Sequence, residues 1–222
     1  MDRIARAEPV LALIRAYESE GAVKAQGVES AYDVVWSGIR PEDRPRKLSS
    51  LPVSRVLWWQ DLIDPAYPSE AAGAYQIMED TLRTLHFDPD ALFGKKTQDA
   101  LALQLLDRRG WARCEAGELS PEDFADQLAR EWASLPVMRD QKGSKRSVKR
   151  GQSYYAGDGL NRAHASPEAV MQAIRAALAS QPEAPLDSAE SAESAVVAWL
   201  QSAPPYTREV IAWLASAPEG VF

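Results

Sequence analysis

Apolar residues recur along this chain with the spacing of amphipathic helices, and capping residues mark where several helices begin. Ser120-Pro121-Glu122 and Ser166-Pro167-Glu168 each offer a serine N-cap, a proline at the first helical position and an acid in the first turn. Only residues 32–36 read as extended. The pattern therefore predicts a mainly α fold with at most a small β element. Further predicted helices cover residues 9–20, 53–63, 74–85, 96–109 and 121–135.

Two breaks in this pattern divide the chain. Residues 139–151 carry six basic residues and one acid, which predicts a mobile, solvated surface loop. Residues 179–194 are rich in Ala, Ser, Pro and Glu, a composition typical of a linker. We therefore expect a main domain over residues 1–178, a linker over 179–194 and a short C-terminal helical appendage over 195–222.

The C-terminal appendage contains an internal repeat. Val196-Val197-Ala198-Trp199-Leu200 returns as Val210-Ile211-Ala212-Trp213-Leu214, and each copy is followed closely by a proline. Two copies are too few for a solenoid, so a helical hairpin folded onto the main domain is the simpler interpretation. A docking or membrane-surface element is the alternative, favoured if the tryptophans are exposed.

Composition and charge narrow the function. With 222 residues and 45% hydrophobic content the chain can bury one substantial core, and its net charge of -7 argues against a nucleic-acid partner. The single cysteine, Cys114, has no partner for an internal disulfide. Together with His86 and His164 it provides no zinc-ligand spacing, so we expect no metal and no other cofactor.

The chain also lacks the hydrophobic runs that mark membrane proteins. No stretch of about 18 consecutive apolar residues occurs, so stable membrane insertion is not expected. The N-terminal segment is charged and does not resemble a secretory signal. We therefore expect the protein to accumulate in the cytoplasm.

Two glutamates at the end of the first predicted helix are candidates for acid chemistry. Val10, Ile14 and Tyr17 lie on the apolar stripe of this helix, and Glu18 and Glu20 flank the stripe on opposite sides. Partial burial and the negative end of the helix dipole would raise the pKa of either carboxyl group. The periodicity does not choose between the two, and an ordinary solvated glutamate is the alternative for each.

Two further segments combine glycine with groups that can bind sugars. In the first, Gly73 would let a glycan approach the backbone, Tyr75 would offer a stacking face, and Gln76 would offer hydrogen-bond donors and an acceptor. A helix start with a buried tyrosine is the alternative there. In the second, Tyr154 and Tyr155 precede a Gly-Asp-Gly sequence, which is equally well explained as a turn.

Several motifs resemble those of cell-wall-degrading enzymes. Glu18-Ser19 is similar to the glutamate-serine motif of goose-type lysozymes and soluble lytic transglycosylases. A closer resemblance, over residues 9–178, is to the phage muramidases of the lambda endolysin type. The matching segments occur in order at residues 32–35, 44–48, 72–76, 98–104 and 132–136.

The resemblance implies a lysozyme-like helical domain and assigns roles to the candidate residues. Glu18 would be the general acid, because its spacing to Tyr32 agrees with the family without a gap, and Glu20 is the alternative. The substrate-binding residues would include Tyr32, Gly73, Tyr75 and Gln76. Tyr154 or Tyr155 would correspond by position to the tyrosine that lytic transglycosylases hold near the acid.

The same resemblance implies cleavage of the MurNAc-GlcNAc β-1,4 bond of peptidoglycan for host cell lysis. A glycosidase of the usual kind needs a second carboxylate, and Asp33, the nearest in sequence, is not a firm candidate. We therefore expect a lytic transglycosylase that forms 1,6-anhydro ends. A hydrolytic lysozyme and a non-catalytic peptidoglycan-binding particle component are the alternatives.

The expected partner is the peptidoglycan glycan strand. The enzyme would act as a monomer in the release system of a phage or phage-like particle. It would be held in the cytoplasm until a holin or another membrane lesion releases it to the periplasm.

Overall fold

Eight helices and one small sheet make up the part of the chain, residues 2–179, that a computed structural model of the protein describes. The predicted mainly α fold with a small β element is confirmed, as expected of a lysozyme-like domain. Apart from its first residue, the predicted linker lies outside the described residues, as does the whole predicted appendage. The helices are α1 (Arg3–Glu18), α2 (Val23–Gln26), α3 (Val53–Ile63), α4 (Glu79–Arg83), α5 (Lys95–Arg108), α6 (Trp111–Glu115), α7 (Pro121–Leu128) and α8 (Pro167–Ala179).

The first helix, α1, lies at the centre of the core. It contacts both α8 and α5, and four of its apolar side chains are fully buried. These side chains belong to Ala7, Val10, Leu11 and Ile14. This burial fixes α1 against the rest of the domain, and with it the position of its last residue, Glu18.

The start and the end of α1 both differ from the prediction. The helix begins at Arg3, so Pro9 lies inside it rather than at its first turn. Asp2 caps the helix by accepting a hydrogen bond from the Ile4 amide at 3.1 Å, and Arg3 pairs with Asp107 of α5 at 2.7 Å. These tertiary and capping contacts outweigh the local preference of proline for a helix start.

The segment predicted as a helix over 74–85 is helical only in part. Residues 73–76 form the turn, closed by a bridge between Ala72 and Ile77, and α4 covers only Glu79–Arg83. The Glu70 carboxylate accepts a hydrogen bond from the Glu79 amide at 3.0 Å and so caps α4 from outside. The prediction failed because the positive φ angles in the turn are set by distant contacts.

Two other predicted elements are shorter than expected. The helix that begins at Pro121 ends at Leu128 and not at residue 135, while its predicted serine cap is confirmed by a 3.1 Å hydrogen bond from the Asp123 amide to Ser120 Oγ. The extended segment begins later than predicted, since Ala31–Asp33 is a 3-10 turn and Val35 then bridges to Ala72.

The basic segment predicted as a mobile loop is instead a short antiparallel hairpin. Its strands are β1 (Gln141–Lys142) and β2 (Ser147–Val148), with Gln141 opposite Val148. The buried Asp126 carboxylate accepts hydrogen bonds from the Met138 amide and from Gln141, at 2.7 and 2.8 Å. Val148 is buried in a small apolar cluster, so the hairpin is anchored at both strands.

None of the helices between residues 2 and 179 has the length and apolar character needed to cross a bilayer.

The last described helix, α8, should be required for the fold of the domain. Ile174 is fully buried against the core, whereas Arg175 beside it is exposed. We expect Ile174→Ala to lower the free energy of unfolding by about 2–5 kcal/mol, because it removes buried methyl groups and leaves a cavity. Chemical denaturation followed by circular dichroism measures this. Arg175→Ala is the matched control, and equal effects of the two changes would contradict a core role for α8.

Candidate active site

A cleft opens at the C-terminal end of α1, where the chain brings Glu18 together with residues from four other segments. Its volume is about 410 Å³. Gln76 of the predicted sugar-binding turn lines the same cleft as Glu18, so the structure places these two predicted residues together. Other residues that line the cleft are Trp36, Met78, Trp132 and Asn161.

The Glu18 carboxyl group is partly buried and is held by Ser134. The Ser134 hydroxyl donates to Glu18 Oε1 at 2.5 Å. Burial raises the pKa of Glu18 above its ordinary value, and the hydrogen bonds from the Ser134 side chain and backbone lower it only in part. Glu18 therefore keeps its proton at a pH where a solvated glutamate would be ionised, which is the property that a general acid needs.

Glu20, the alternative acid, lies in a different environment. The helix ends at Glu18, and Glu20 begins the 3-10 turn Glu20–Ala22 that follows it. Its side chain is exposed and is not among the residues that line the cleft. The geometry therefore favours Glu18 over Glu20.

Ser19 joins the acid to the sugar-binding turn. Its hydroxyl is buried and donates to the Ala74 carbonyl oxygen at 2.8 Å. The residue after the acid thus fastens the end of α1 to residues 73–76. This contact gives a physical reason for a serine directly after the glutamate.

The turn itself needs glycine at position 73. Gly73 has a φ of 79°, and a Cβ atom added there would lie 2.2 Å from Gln98 Oε1. The same Gln98 oxygen accepts a hydrogen bond from the Ala74 amide at 2.8 Å. A side chain at position 73 would therefore displace the residue that holds the turn. Gly73 shapes the site through its backbone.

Gln76 is the only non-glycine residue among those described that has a positive φ, at 48°. Its side-chain nitrogen donates to the Gly73 carbonyl oxygen at 2.8 Å. No described group donates to its amide oxygen, which is free to accept a hydrogen bond from a ligand in the cleft. An unusual backbone conformation of this kind is common where a side chain is held for function.

The stacking role predicted for Tyr75 is wrong, because its side chain is 0% exposed. Its hydroxyl donates to Asp99 Oδ1 at 2.6 Å and accepts a hydrogen bond from Arg15 Nη1 at 2.9 Å. The Trp132 indole also donates to the Tyr75 carbonyl oxygen, at 3.1 Å. Tyr75 therefore anchors the turn in the core and offers no face to a sugar ring.

Tyr32 belongs to the same buried network and does not line the cleft. Its hydroxyl donates to Asp99 Oδ1 at 2.9 Å and accepts a hydrogen bond from Lys95 at 2.8 Å. Tyr32 and Tyr75 thus share one carboxylate oxygen on α5. The direct substrate contact predicted for Tyr32 is replaced by support of the turn from behind.

Tyr154 and Tyr155 form an edge-to-face pair, with ring centroids 5.2 Å apart. The Arg130 guanidinium lies 4.8 Å from the Tyr154 ring, and the Tyr155 hydroxyl donates to the Arg130 carbonyl oxygen at 2.7 Å. Neither ring is among the groups that line the cleft, although Asn161, a few residues later, is. The structure does not bring the pair together with Glu18 in the way that the prediction required.

A family model described as Endolysin matches residues 9–161, which is more than half of the chain. The chain belongs to the endolysin family. No curated protein and no solved structure gave a match. The family makes this protein a phage enzyme that degrades the cell wall, and the matched residues include the whole of the cleft described above.

Local sequence patterns did not indicate a role for Ser134, which contacts Glu18, or for the cleft residues Glu131 and Trp36. Ser134 lies in the Trp-Ala-Ser-Leu-Pro segment, whose pattern indicates only a family resemblance. Glu131 lines the cleft but is engaged, since Arg108 and Arg109 pair with its two oxygens at 2.9 and 2.6 Å. No local pattern signals either contact, because the partners are far apart in sequence.

In the described part of the endolysin, Asp33 does not serve as a second acid at the cleft, and no metal site is formed. Asp33 is buried away from Glu18 and lines a different cavity, where it accepts a hydrogen bond from the Ser49 amide at 2.8 Å. Within residues 2–179 no three His, Cys, Asp or Glu side chains are grouped closely enough to hold a metal ion.

The raised pKa of Glu18 has a consequence for stability. The folded endolysin binds this proton more tightly than the unfolded chain, so folding stability falls as pH rises from the ordinary glutamate pKa through the raised one. We expect Glu18→Gln to leave the melting temperature nearly unchanged at about pH 4 and to raise it at about pH 8. At the higher pH the wild-type protein must either ionise a buried carboxyl group or keep its proton at a cost, and the amide does neither.

Differential scanning calorimetry at the two pH values measures this effect. The matched control is Glu20→Gln, which also replaces a glutamate with its amide but does so at an exposed position. A Glu18→Gln protein whose stability differs from the wild type by the same amount at both pH values would contradict a buried, protonated acid.

Ser134 should tune the pH range of wall lysis. Its hydrogen bonds lower the pKa of Glu18, so Ser134→Ala should raise that pKa further and move the alkaline limb of the activity profile to higher pH. Turbidity loss of purified cell walls at constant ionic strength measures the limb. Ser50→Ala, an exposed serine outside the cleft, is the control. An alkaline limb that stays in place in Ser134→Ala would exclude this role.

Proposed function

We propose that this endolysin is a muramidase that cleaves the MurNAc-GlcNAc β-1,4 bond with Glu18 as its single catalytic acid. We further propose that it works as a lytic transglycosylase. The observation that carries the proposal is one carboxyl group, Glu18, whose pKa burial raises, in a cleft whose other carboxylate, Glu131, is held by two arginines. The proposal extends to the glycan strand as the substrate and to action as a monomer without a cofactor.

The cleft has the side chains that sugar binding requires. Gln76 offers an unpaired amide oxygen, and Asn161 offers a second amide that lines the cleft. Trp36 is partly exposed at the cleft, and its ring lies against Gly38, where an added Cβ atom would be 2.1 Å from the indole. Trp36 therefore takes the place of Tyr75 as the proposed aromatic face for a sugar ring.

The chemistry needs only one carboxyl group. Glu18 donates its proton to the glycosidic oxygen as the bond from that oxygen to the anomeric carbon of MurNAc breaks. The N-acetyl carbonyl oxygen of the same sugar supports the electron-poor anomeric carbon. The 6-hydroxyl then attacks this carbon, and its proton returns to the Glu18 carboxylate. The glycan is cleaved without consumption of water, and a 1,6-anhydro end remains.

Water activation lacks an equivalent group in the described part of the chain. An inverting or retaining hydrolase places a second carboxylate opposite the acid. Glu131 is paired on both oxygens, and Asp33 faces another cavity. The arrangement favours the intramolecular hydroxyl as nucleophile over an activated water molecule.

Delivery to the wall is part of the same proposal. We infer that the enzyme is held in the cytoplasm and reaches the periplasm through a holin or another membrane lesion, as lysis by an endolysin requires.

Digestion of purified sacculi tests both the acid and the route. Glu18→Gln should lose activity by about a hundredfold or more, because general acid catalysis contributes on that scale, while Glu20→Gln should retain it. Turbidity gives the rates, and circular dichroism confirms that each variant is folded.

Mass analysis of the released muropeptides decides the route. Transglycosylation predicts products lighter by one water molecule than their reducing counterparts. Reducing ends alone would identify a hydrolytic lysozyme instead. Intact sacculi after treatment with wild-type protein, or full activity of Glu18→Gln, would overturn the proposal.

A further inference from the structure

A second cavity of about 500 Å³ lies beside the catalytic cleft and is lined by two arginines. Arg146 comes from the turn of the β hairpin and Arg162 from the segment before α8. Asn161 lines both this cavity and the catalytic cleft, so the two spaces meet at that residue. We call the second cavity the arginine pocket.

Neither arginine is neutralised by the described part of the protein. Two basic residues that follow the hairpin turn have carboxylate partners: Lys149 pairs with Asp140, and Arg150 with Glu168, both at 2.7 Å. Arg146 and Arg162 have no carboxylate oxygen within 4.0 Å among residues 2–179. In a chain with a net charge of -7, two unpaired guanidinium groups in one cavity are a local excess of positive charge.

The acid closest to Arg162 in the sequence, Asp158, accepts hydrogen bonds from other groups. Asp158 accepts hydrogen bonds from the Leu160 and Asn161 amides at 2.9 and 2.8 Å, and from the Asn161 side chain at 2.7 Å. Its carboxylate therefore shapes the segment that separates the cleft from the arginine pocket. In doing so it holds Asn161 at the junction and leaves the arginines free for a ligand.

Arg146 is held in place. Its Nε donates to the Ala156 carbonyl oxygen at 3.3 Å, and its side chain lies against Gly157, where an added Cβ atom would be 3.1 Å from Arg146 Cδ. The hydrogen bond uses Nε alone, so the two terminal nitrogens remain available. A guanidinium fixed in this way can bind a carboxylate through two parallel hydrogen bonds with little loss of side-chain entropy.

We propose that the arginine pocket binds a carboxylate of the stem peptide attached to the muramic acid residue in the cleft. This inference rests on the proposed muramidase function. The sugar backbone of peptidoglycan is uncharged, whereas the peptide that leaves the lactyl group of MurNAc carries free carboxylates. A cationic cavity that opens from the cleft thus matches the substituent that distinguishes peptidoglycan from an unsubstituted glycan.

The test compares glycan chains whose stem peptides carry free carboxylates with the same chains after coupling to ammonia has converted those carboxylates to uncharged amides. The measured quantity is the ratio of kcat/KM on the two substrates, obtained for wild type, Arg146→Gln, Arg162→Gln and the double variant. We expect the double variant to lower this ratio about tenfold, through a higher KM on the chains with free carboxylates, because a charge-assisted hydrogen bond is lost.

Arg113→Gln is the matched control for each single variant, because it also removes one positive charge. Arg113 is exposed and is not among the residues that line either cavity. It should leave the ratio unchanged. An equal fall of the ratio in Arg113→Gln would indicate general electrostatic attraction and would overturn the proposal. An unchanged ratio in the double variant would also overturn it.

Failure of the underlying function would be distinguishable. In that case the wild-type protein would cleave neither substrate, whereas an error in the arginine pocket alone would leave the wild type active with a ratio that is insensitive to both substitutions.

Discussion

The hydrogen bond from the Ser19 hydroxyl to the Ala74 carbonyl oxygen sets the geometry on which the cleft depends. It ties the last turn of α1 to the turn at residues 73–76 and so places Glu18 opposite Gln76. Helix α1 and the turn are each also held in place by other contacts. One face of helix α1 is buried in the core, and Gln98 and Trp132 bind the backbone of the turn. A small shift of either element would separate the acid from the amide.

Behind the turn, a buried polar network replaces the apolar packing that such a position would otherwise have. Asp99 accepts hydrogen bonds from Tyr75, Tyr32 and Lys95, and Arg15 donates to the Tyr75 hydroxyl. Polar groups in a core are costly when unpaired and rigid when fully paired. Here they are paired, so the network acts as a rigid support for residues 73–76. The tyrosines of the family motifs therefore serve the position of the site and not its contact with substrate.

The cleft and the arginine pocket show how one segment can serve two environments. Asn161 borders both spaces and is held by Asp158. On one side lies the Glu18 carboxyl group, whose pKa burial raises, and on the other lie two arginines without ion-pair partners among the described residues. Burial of the acid costs stability, which the packing of α1 against α5 and α8 offsets.

The sequence by itself determined the mainly α fold, the bounds of α3, the serine cap of α7 and the two candidate acids. These features follow from local rules, since periodicity and capping involve residues a few positions apart. Only the tertiary structure gave Glu18 and Glu20 different environments and placed the Tyr75 side chain in the core. It also turned the basic segment into a hairpin and brought Ser134 to Glu18. Desolvation and hydrogen-bond partners come from residues more than a hundred positions apart, as with Glu18 and Ser134, and no local pattern contains them.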